Sequence, residues 1–159
     1  MKTADKYKYW AMLCDYDMDT AQVLIEGKRW VYVAYMCHQA LERQLKGMYV
    51  YYLNKEAPKT HNLPFLFDKL QNTPGFPECG ALAPEKSVQM EDFFTEVMFY
   101  YMSDYPFSYK RVTSRFIDEA TGRQLFGQVC DCIQELRALQ PLPELVDIEE
   151  ERQNGKKTF

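Results

Sequence analysis

One stretch of the sequence places four chemically capable side chains at helical spacing. His38, Glu42 and Lys46 recur in steps of four, and Gln39 follows His38 directly. Steps of four put side chains on neighbouring turns along one edge of a helix. A histidine beside a carboxylate can titrate near neutral pH, which suits it to ligand binding or proton transfer. The spacing therefore predicts one of two arrangements. Either a polar seam binds a ligand or fixes the register across a dimer, or a buried histidine is flanked by a Glu–Lys ion pair.

The second of the two histidines, His61, stands just before a predicted short helix. Two roles are open to it. It can satisfy backbone groups of the loop and the helix start, or it can form a pocket with Gln39 and Lys46. In the second case the positive end of the helix dipole would favour an anionic ligand there.

A third candidate region interleaves aromatic residues with cations over 105–116, in the order YPFSYKRVTSRF. Aromatic rings can stack on nucleobases while cations contact phosphates, so Tyr105, Lys110 and Arg111 are candidate nucleic-acid contacts. The alternative is a loop whose rings fill one end of the domain while its charges stay in water.

Several classes of site are disfavoured by the residue inventory. Two histidines, scattered carboxylates and five cysteines without a CxxC pair do not make a zinc-ligand set. The sequence also lacks the glycine-rich phosphate loops GxxxxGK[ST] and GxGxxG, and no serine lies in a nucleophile elbow. We therefore assign no catalytic residue, no metal ligand and no cofactor.

Composition indicates one soluble domain. A chain of 159 residues can bury a real core, and its net charge of −4 argues against attraction of the whole protein to nucleic acid. The odd number of cysteines indicates reduced thiols, and no apolar run is long enough for a signal peptide or a membrane span. We expect a cytoplasmic protein that makes no membrane contact.

The aromatic content of 15%, with 12 tyrosines, is the unusual figure. Tyrosine rings pack well, but their hydroxyl groups need a partner or water. So many of them indicate either large half-buried surfaces, as in a homodimer, or a tyrosine-rich core.

Hydrophobic periodicity predicts five helices, over about 5–26, 29–54, from 62 onward, 84–103 and 118–140. Asn62 is suited to start a helix and Gly27 to end one. The second helix is apolar on more than one face, which is typical of a helix that is central or shared with a partner. We predict an all-α, antiparallel up-and-down bundle over residues 1–145 and a charged flexible tail over 146–159.

Several short motifs, taken in their order along the chain, resemble those of the HEPN domain family. This family is a small helical module of prokaryotic nucleotide- and RNA-related proteins. The resemblance runs over about 8–140 and is strongest at HQALERQLK (38–46), which is similar to the family's QA-E-x-x-x-K helix. It also includes Trp10-Ala11, Asp19-Thr20-Ala21, His61-Asn62-Leu63, Tyr105-Pro106 and Glu119-Ala120. The resemblance implies a helical, often dimeric protein coupled to a nucleotidyltransferase-like partner in a toxin–antitoxin or stress system.

Two departures from the family pattern bear on activity. Members of the family that cleave RNA share an Arg-x(4–6)-His motif. In this sequence no histidine follows an arginine at that spacing, and none follows His61. The family's arginine before Tyr-Pro is Asp104 here, although Lys110 and Arg111 could substitute for it. The sequence favours a non-catalytic binding or interaction module for a nucleotide or nucleic acid. The alternatives are a metal-independent ribonuclease that uses His38 or His61, and a purely structural partner subunit.

Overall fold

The computed structural model of the chain describes residues 1–76, 83–102 and 117–139, together with residues 142, 143 and 145. These residues form helices and connecting turns and contain no strand. The helices are α1 (Thr3–Glu26), α2 (Trp30–Leu53), α3 (Leu63–Gln71), α4 (Pro84–Met102) and α5 (Glu119–Arg137). The predicted all-α bundle is confirmed. The predicted tail over 146–159 and the basic aromatic segment over 105–116 lie outside the described residues.

Helices α3 and α5 each begin at a side-chain cap. The Asn62 side chain accepts a hydrogen bond from the Phe65 backbone N–H at 3.0 Å, and Asp118 accepts one from the Thr121 N–H at 2.8 Å. Each of these bonds satisfies an N–H that has no partner within its own helix. Both residues were predicted helix starts.

The predicted end of α5 at Gln140 was wrong, because the helix ends at Arg137. The chain tightens there into a 3₁₀-type turn, in which the Leu139 N–H bonds the Leu136 carbonyl at 3.2 Å. A proline follows Gln140 in the sequence, and the residue before a proline avoids the helical region.

Helix α2 occupies the centre of the bundle, as its two-sided apolar pattern predicted. It packs against all four other helices, and α1 covers most of one side. Its buried positions point in several directions around the helix and include Val33, Ala40, Leu45 and Val50. Any polar group on α2 must therefore find its partner inside the protein.

The two longest helices approach each other closely at one glycine. A Cβ atom added to Gly47 would lie 2.7 Å from the Cβ of Trp10 and 3.3 Å from the Tyr7 ring. The first neighbour sits next to the α1 backbone and cannot move without shifting that helix. Gly47 therefore sets the distance between α1 and α2.

Three of the cysteines, Cys14, Cys37 and Cys132, are free and buried, in line with their interpretation as small core residues. Burial raises the pKa of the Cys14 and Cys132 thiols to about 12, so both stay protonated and unreactive at neutral pH. Cys79 lies outside the described residues.

We expect Gly47→Ala to lower the free energy of unfolding by about 1–3 kcal/mol, the usual cost of overpacking a filled core. Gly127→Ala is the matched control, because nothing lies within 4 Å of a Cβ at that helical position. It should raise stability by about 0.5–1 kcal/mol, since alanine favours the helix. Urea denaturation of both variants measures the contrast, and equal effects would show that α1 and α2 do not meet at Gly47.

Candidate functional site

The candidate site is organised around the carboxylate of Glu42, which is 3% exposed. Its Oε1 accepts a hydrogen bond from Nδ1 of His61 at 2.6 Å, and its Oε2 accepts one from Nζ of Lys46 at 3.1 Å. Lys46 is itself buried, one helical turn further along α2. A buried charge is tolerated when it is paired and hydrogen-bonded, and both oxygens of Glu42 meet that condition.

His38 lies one turn before Glu42 and is fully buried. Its Nε2 is 2.9 Å from the backbone carbonyl oxygen of His61. A carbonyl oxygen only accepts, so Nε2 carries the hydrogen. Burial lowers the pKa of His38 to about 4, against the opposing effect of Glu42. His38 is therefore neutral at physiological pH and has a structural bond to the backbone.

His61 is held to α2 at two points, through its carbonyl by His38 and through its ring by Glu42. Next to it, the Asn62 N–H bonds the Thr60 hydroxyl at 3.1 Å, and Asn62 caps α3. These bonds fix the segment that joins α2 to α3. The His61 side chain is nevertheless 62% exposed, so its ring presents an edge to solvent while Glu42 orients it.

The structure brings together four of the predicted residues, His38, Glu42, Lys46 and His61. It does not bring in Gln39, which is half-buried and makes no hydrogen bond within the described part of the chain. The Lys46 ammonium is bonded to Glu42. The other three candidates, Tyr105, Lys110 and Arg111, lie outside the described residues.

A second buried carboxylate, that of Asp17 on α1, was not predicted as part of a site. It is 2% exposed, and its Oδ1 accepts a hydrogen bond from Nη1 of Arg43 at 3.1 Å. Its Oδ2 is buried without a hydrogen-bond partner among the described residues. Burial raises the pKa of Asp17 to about 6; Arg43 opposes that change and Glu42 adds to it. The sequence does contain a signal for this contact, because Asp17 lies among the apolar residues of α1 and a carboxylate buried there needs a partner.

A third polar contact joins α1, α2 and α5 through Gln44, which is fully buried. Its amide nitrogen donates to the Tyr7 hydroxyl at 3.1 Å, and its amide oxygen accepts from Nε of Arg137 at 3.0 Å. Arg137 also bonds the Ala11 carbonyl at 3.2 Å and pairs with Asp15 at 2.9 Å. No local pattern could have predicted a contact between residues so far apart in the sequence.

Two further observations concern the described residues as a whole. They contain no group of three or more histidine, cysteine or acidic side chains that could hold a metal ion. None of their helices combines the length and the apolar character that crossing a membrane requires.

Comparison with known families supplies the identification. The family model described as the HEPN domain matches residues 7–139, most of the chain. The chain belongs to the HEPN domain family. Its helical bundle agrees with that membership. The segment 38–46, where the resemblance to the family is strongest, lies on α2 and carries three members of the polar cluster formed by His38, Glu42, Lys46 and His61. Searches of curated proteins and of solved structures give no match to this HEPN protein.

We expect opposite pH dependences from His38 and Asp17. The pKa of His38 falls from 6.5 to about 4 on folding. Its effect is therefore to lower the free energy of unfolding progressively as pH drops from 6.5 to about 4. The pKa of Asp17 rises from 3.8 to about 6, so its contribution is complete below pH 3.8 and is lost as pH rises through 6. Between about pH 4 and 6 the two slopes, each about 1.4 kcal/mol per pH unit, should cancel.

Two substitutions separate these contributions. As pH falls from 6 to 4, the free energy of unfolding of Asp17→Asn should decrease relative to that of wild type. That of His38→Gln should increase relative to wild type over the same range. Other titrating groups cancel in each comparison with wild type. Urea denaturation at several pH values measures both slopes, and parallel curves for all three proteins would contradict the two shifts.

Proposed function

We propose that this protein is a non-catalytic HEPN module that binds a nucleotide or RNA. One observation carries the proposal: the polar groups of His38, Glu42 and Lys46 on α2 are bonded to one another, to His61 and to the backbone. His38 bonds a carbonyl, and both oxygens of Glu42 are occupied. Groups used in this way hold the fold together and are poorly placed to carry a reaction.

The face of this cluster that can meet a ligand is the exposed ring of His61. Glu42 holds Nδ1, which turns the opposite edge of the imidazole outward. With Nδ1–H donated to Glu42, the outward Nε2 donates to a phosphate oxygen, the group that nucleotides and RNA share, in the doubly protonated ring, where both nitrogens carry hydrogen. His61 is therefore the residue that we expect to contact an anionic ligand, with Lys46 supporting it through Glu42.

A metal-independent ribonuclease is the second candidate, and the short contact between Glu42 and His61 favours it. A carboxylate that orients a histidine is the usual arrangement of a general base. The missing Arg-x(4–6)-His motif and the absence of a second histidine on the exposed edge argue for binding without cleavage.

We further propose a cytoplasmic homodimer that partners a nucleotidyltransferase-like protein in a toxin–antitoxin or stress system. Family membership supports this, together with exposed aromatic side chains on three different helices, Tyr32, Phe65 and Phe99. A purely structural partner subunit would share this assembly but would bind no nucleotide.

We expect thermal unfolding to reveal the ligand. A nucleotide at about 100 times its dissociation constant stabilises the folded state by about 2.7 kcal/mol, which raises the melting temperature by about 5–10 °C. His61→Ala should abolish the shift. Lys59→Ala, an exposed change in the same connecting segment, should preserve it.

The same proteins separate the alternatives. RNA that is bound but stays intact supports the binding module, whereas cleavage that is lost only in His61→Ala supports the ribonuclease. No shift with any nucleotide and no binding of short RNA would leave the structural subunit as the remaining role.

The homodimer has its own test. Sedimentation velocity at micromolar concentration should give a species of twice the chain mass of 18.8 kDa. A monomer that persists at high concentration would contradict the dimer, and it would not affect the nucleotide proposal.

A further inference from the structure

A row of side chains leads along α2 from its first turn to the contact between Glu42 and His61. Tyr32, Tyr35, Gln39 and Glu42 follow one another in steps of three, four and three, so they lie along one edge of the helix. Glu42 is buried, and the His61 ring lies against it. Before Glu42 the row is open to solvent, with Tyr32 59% and Tyr35 36% exposed. We call Tyr32, Tyr35 and Gln39 the α2 strip, and the exposed His61 ring stands at its end.

The segment that carries the α2 strip is basic within an acidic protein. Residues 27–62, from the end of α1 to the start of α3, contain six lysines and arginines against two glutamates, a net charge of +4. Since the whole chain has a net charge of −4, the remaining residues sum to −8. One of the two glutamates, Glu42, is buried between Lys46 and His61. A segment of this sign attracts an anion to α2 and its connections rather than to the rest of the molecule.

Two of these cations are held at the start of the α2 strip. Lys28 and Arg29 are exposed in the turn between α1 and α2, and their backbone N–H groups bond carbonyls of α1 at 3.0 and 2.9 Å. Lys28 has a φ of 56°, a left-handed conformation that favours glycine, so a cation stands where glycine would be less strained. A cavity of about 260 Å³ opens at this turn, and its lining includes both cations, Trp30 and Tyr32. The start of the strip therefore combines positive charge with aromatic surface around a recess.

The distance between these cations and His61 sets the length of a ligand that reaches both. Arg29 and Glu42 are 13 residues apart in the sequence, which corresponds to about 20 Å along the helix at 1.5 Å per residue. Stacked nucleotides of one strand rise about 3.4 Å each, so about six nucleotides cover this distance. Aromatic rings between two cationic ends suit such a strand, because bases stack on the rings while phosphates meet the cations. A single nucleotide is too short to reach both ends.

We propose that the α2 strip binds a single strand of RNA about six nucleotides long. Bases stack on Tyr32 and Tyr35. Phosphates contact Lys28 and Arg29 at one end of the strand and His61 at the other. This inference rests on the anion contact that we propose at His61, and it selects a strand of RNA over a single nucleotide as the ligand.

The strand and the proposed homodimer differ in their use of one aromatic residue. Tyr32 is among the exposed side chains that support a dimer, and the strand takes it for stacking. Phe65 on α3 and Phe99 on α4, which are also exposed, are then left for the dimer interface. The two uses predict different effects of Tyr32→Ala, which removes the ring from whichever partner it contacts.

The first test is the dependence of affinity on RNA length, measured on the full chain. Unlabelled oligouridylates compete with a fluorescein-labelled octauridylate, and fluorescence anisotropy reports the displacement. Affinity should rise by at least about tenfold between one and six nucleotides, because each added nucleotide brings a base to stack or a phosphate to pair. It should rise little beyond six, where the strand has reached both ends of the strip.

An aromatic substitution locates the stacked bases. Tyr32→Ala should weaken binding of the hexanucleotide by about fivefold or more, the loss expected of one stacked base. It should leave binding of uridine monophosphate unchanged, because that ligand depends on His61. Tyr16→Ala is the matched control, since this tyrosine is 66% exposed on α1 and lies outside the strip.

A charge substitution locates the phosphates. Lys28→Ala with Arg29→Ala should make the plot of log affinity against log salt shallower by about 1.4, the amount expected for two phosphate contacts with a single strand. Lys2→Ala with Lys6→Ala removes two exposed cations at the far end of α1 and should leave that slope unchanged.

Several outcomes would overturn the proposal. Equal affinity for one and six nucleotides, or unchanged hexanucleotide binding in a folded Tyr32→Ala protein, removes the strand and leaves the nucleotide contact at His61 intact. Displacement of the label by hexaglutamate as readily as by the hexanucleotide would show that the face recognises charge alone. A homodimer that Tyr32→Ala dissociates would show that a second copy covers the strip. No binding of either RNA or nucleotide rejects this inference and the proposed function together. Circular dichroism confirms that each variant is folded.

Discussion

The buried carboxylate of Glu42 is the constraint on which the centre of this protein depends. An ionised carboxylate leaves water at a cost of several kcal/mol, so it must be met by partners of opposite charge and by hydrogen bonds. Lys46 provides one partner from the same helix. His61 provides the other from a different segment. Because only the folded chain brings His61 to Glu42, burial of the motif helix and closure of the connection from α2 to α3 depend on each other.

Helix α2 combines central packing with an unusual number of polar residues. His38, Glu42, Gln44 and Lys46 are all buried on it. Each has a partner at a fixed height along the helix, and together these partners come from α1, α5, the 54–62 connection and α2 itself. A slide of α2 by one turn would leave several of these groups unsatisfied, and each would cost about 1–3 kcal/mol. We infer that the polar residues specify the register of the bundle while the apolar ones supply its stability.

The fold could be predicted from the sequence because its evidence is local. Apolar spacing and end-capping residues such as Asn62 and Asp118 act within one turn of where they stand, so all five helices begin within two residues of their predicted starts. Partners in the site are not local. The sequence marks His61 as chemically capable, but it cannot show that its carbonyl and its ring bind two different residues of α2. The contact of Gln44 with Arg137 likewise depends on how α5 packs.

The outer face of α1, with the exposed residues Tyr9, Tyr16 and Val23, shows another limit of prediction from sequence. Tyr16 and Leu13 fit an apolar helix face as well as Cys14 and Ala21 do, and only the position of α2 decides which face is covered. Once α2 is in place, the polar cluster holds the interior together, whereas the His61 ring and the outer face of α1 stay exposed. His61 offers an oriented imidazole edge, and α1 offers an apolar face. The nucleotide contact proposed at His61 and the exposed face of α1 therefore involve different residues.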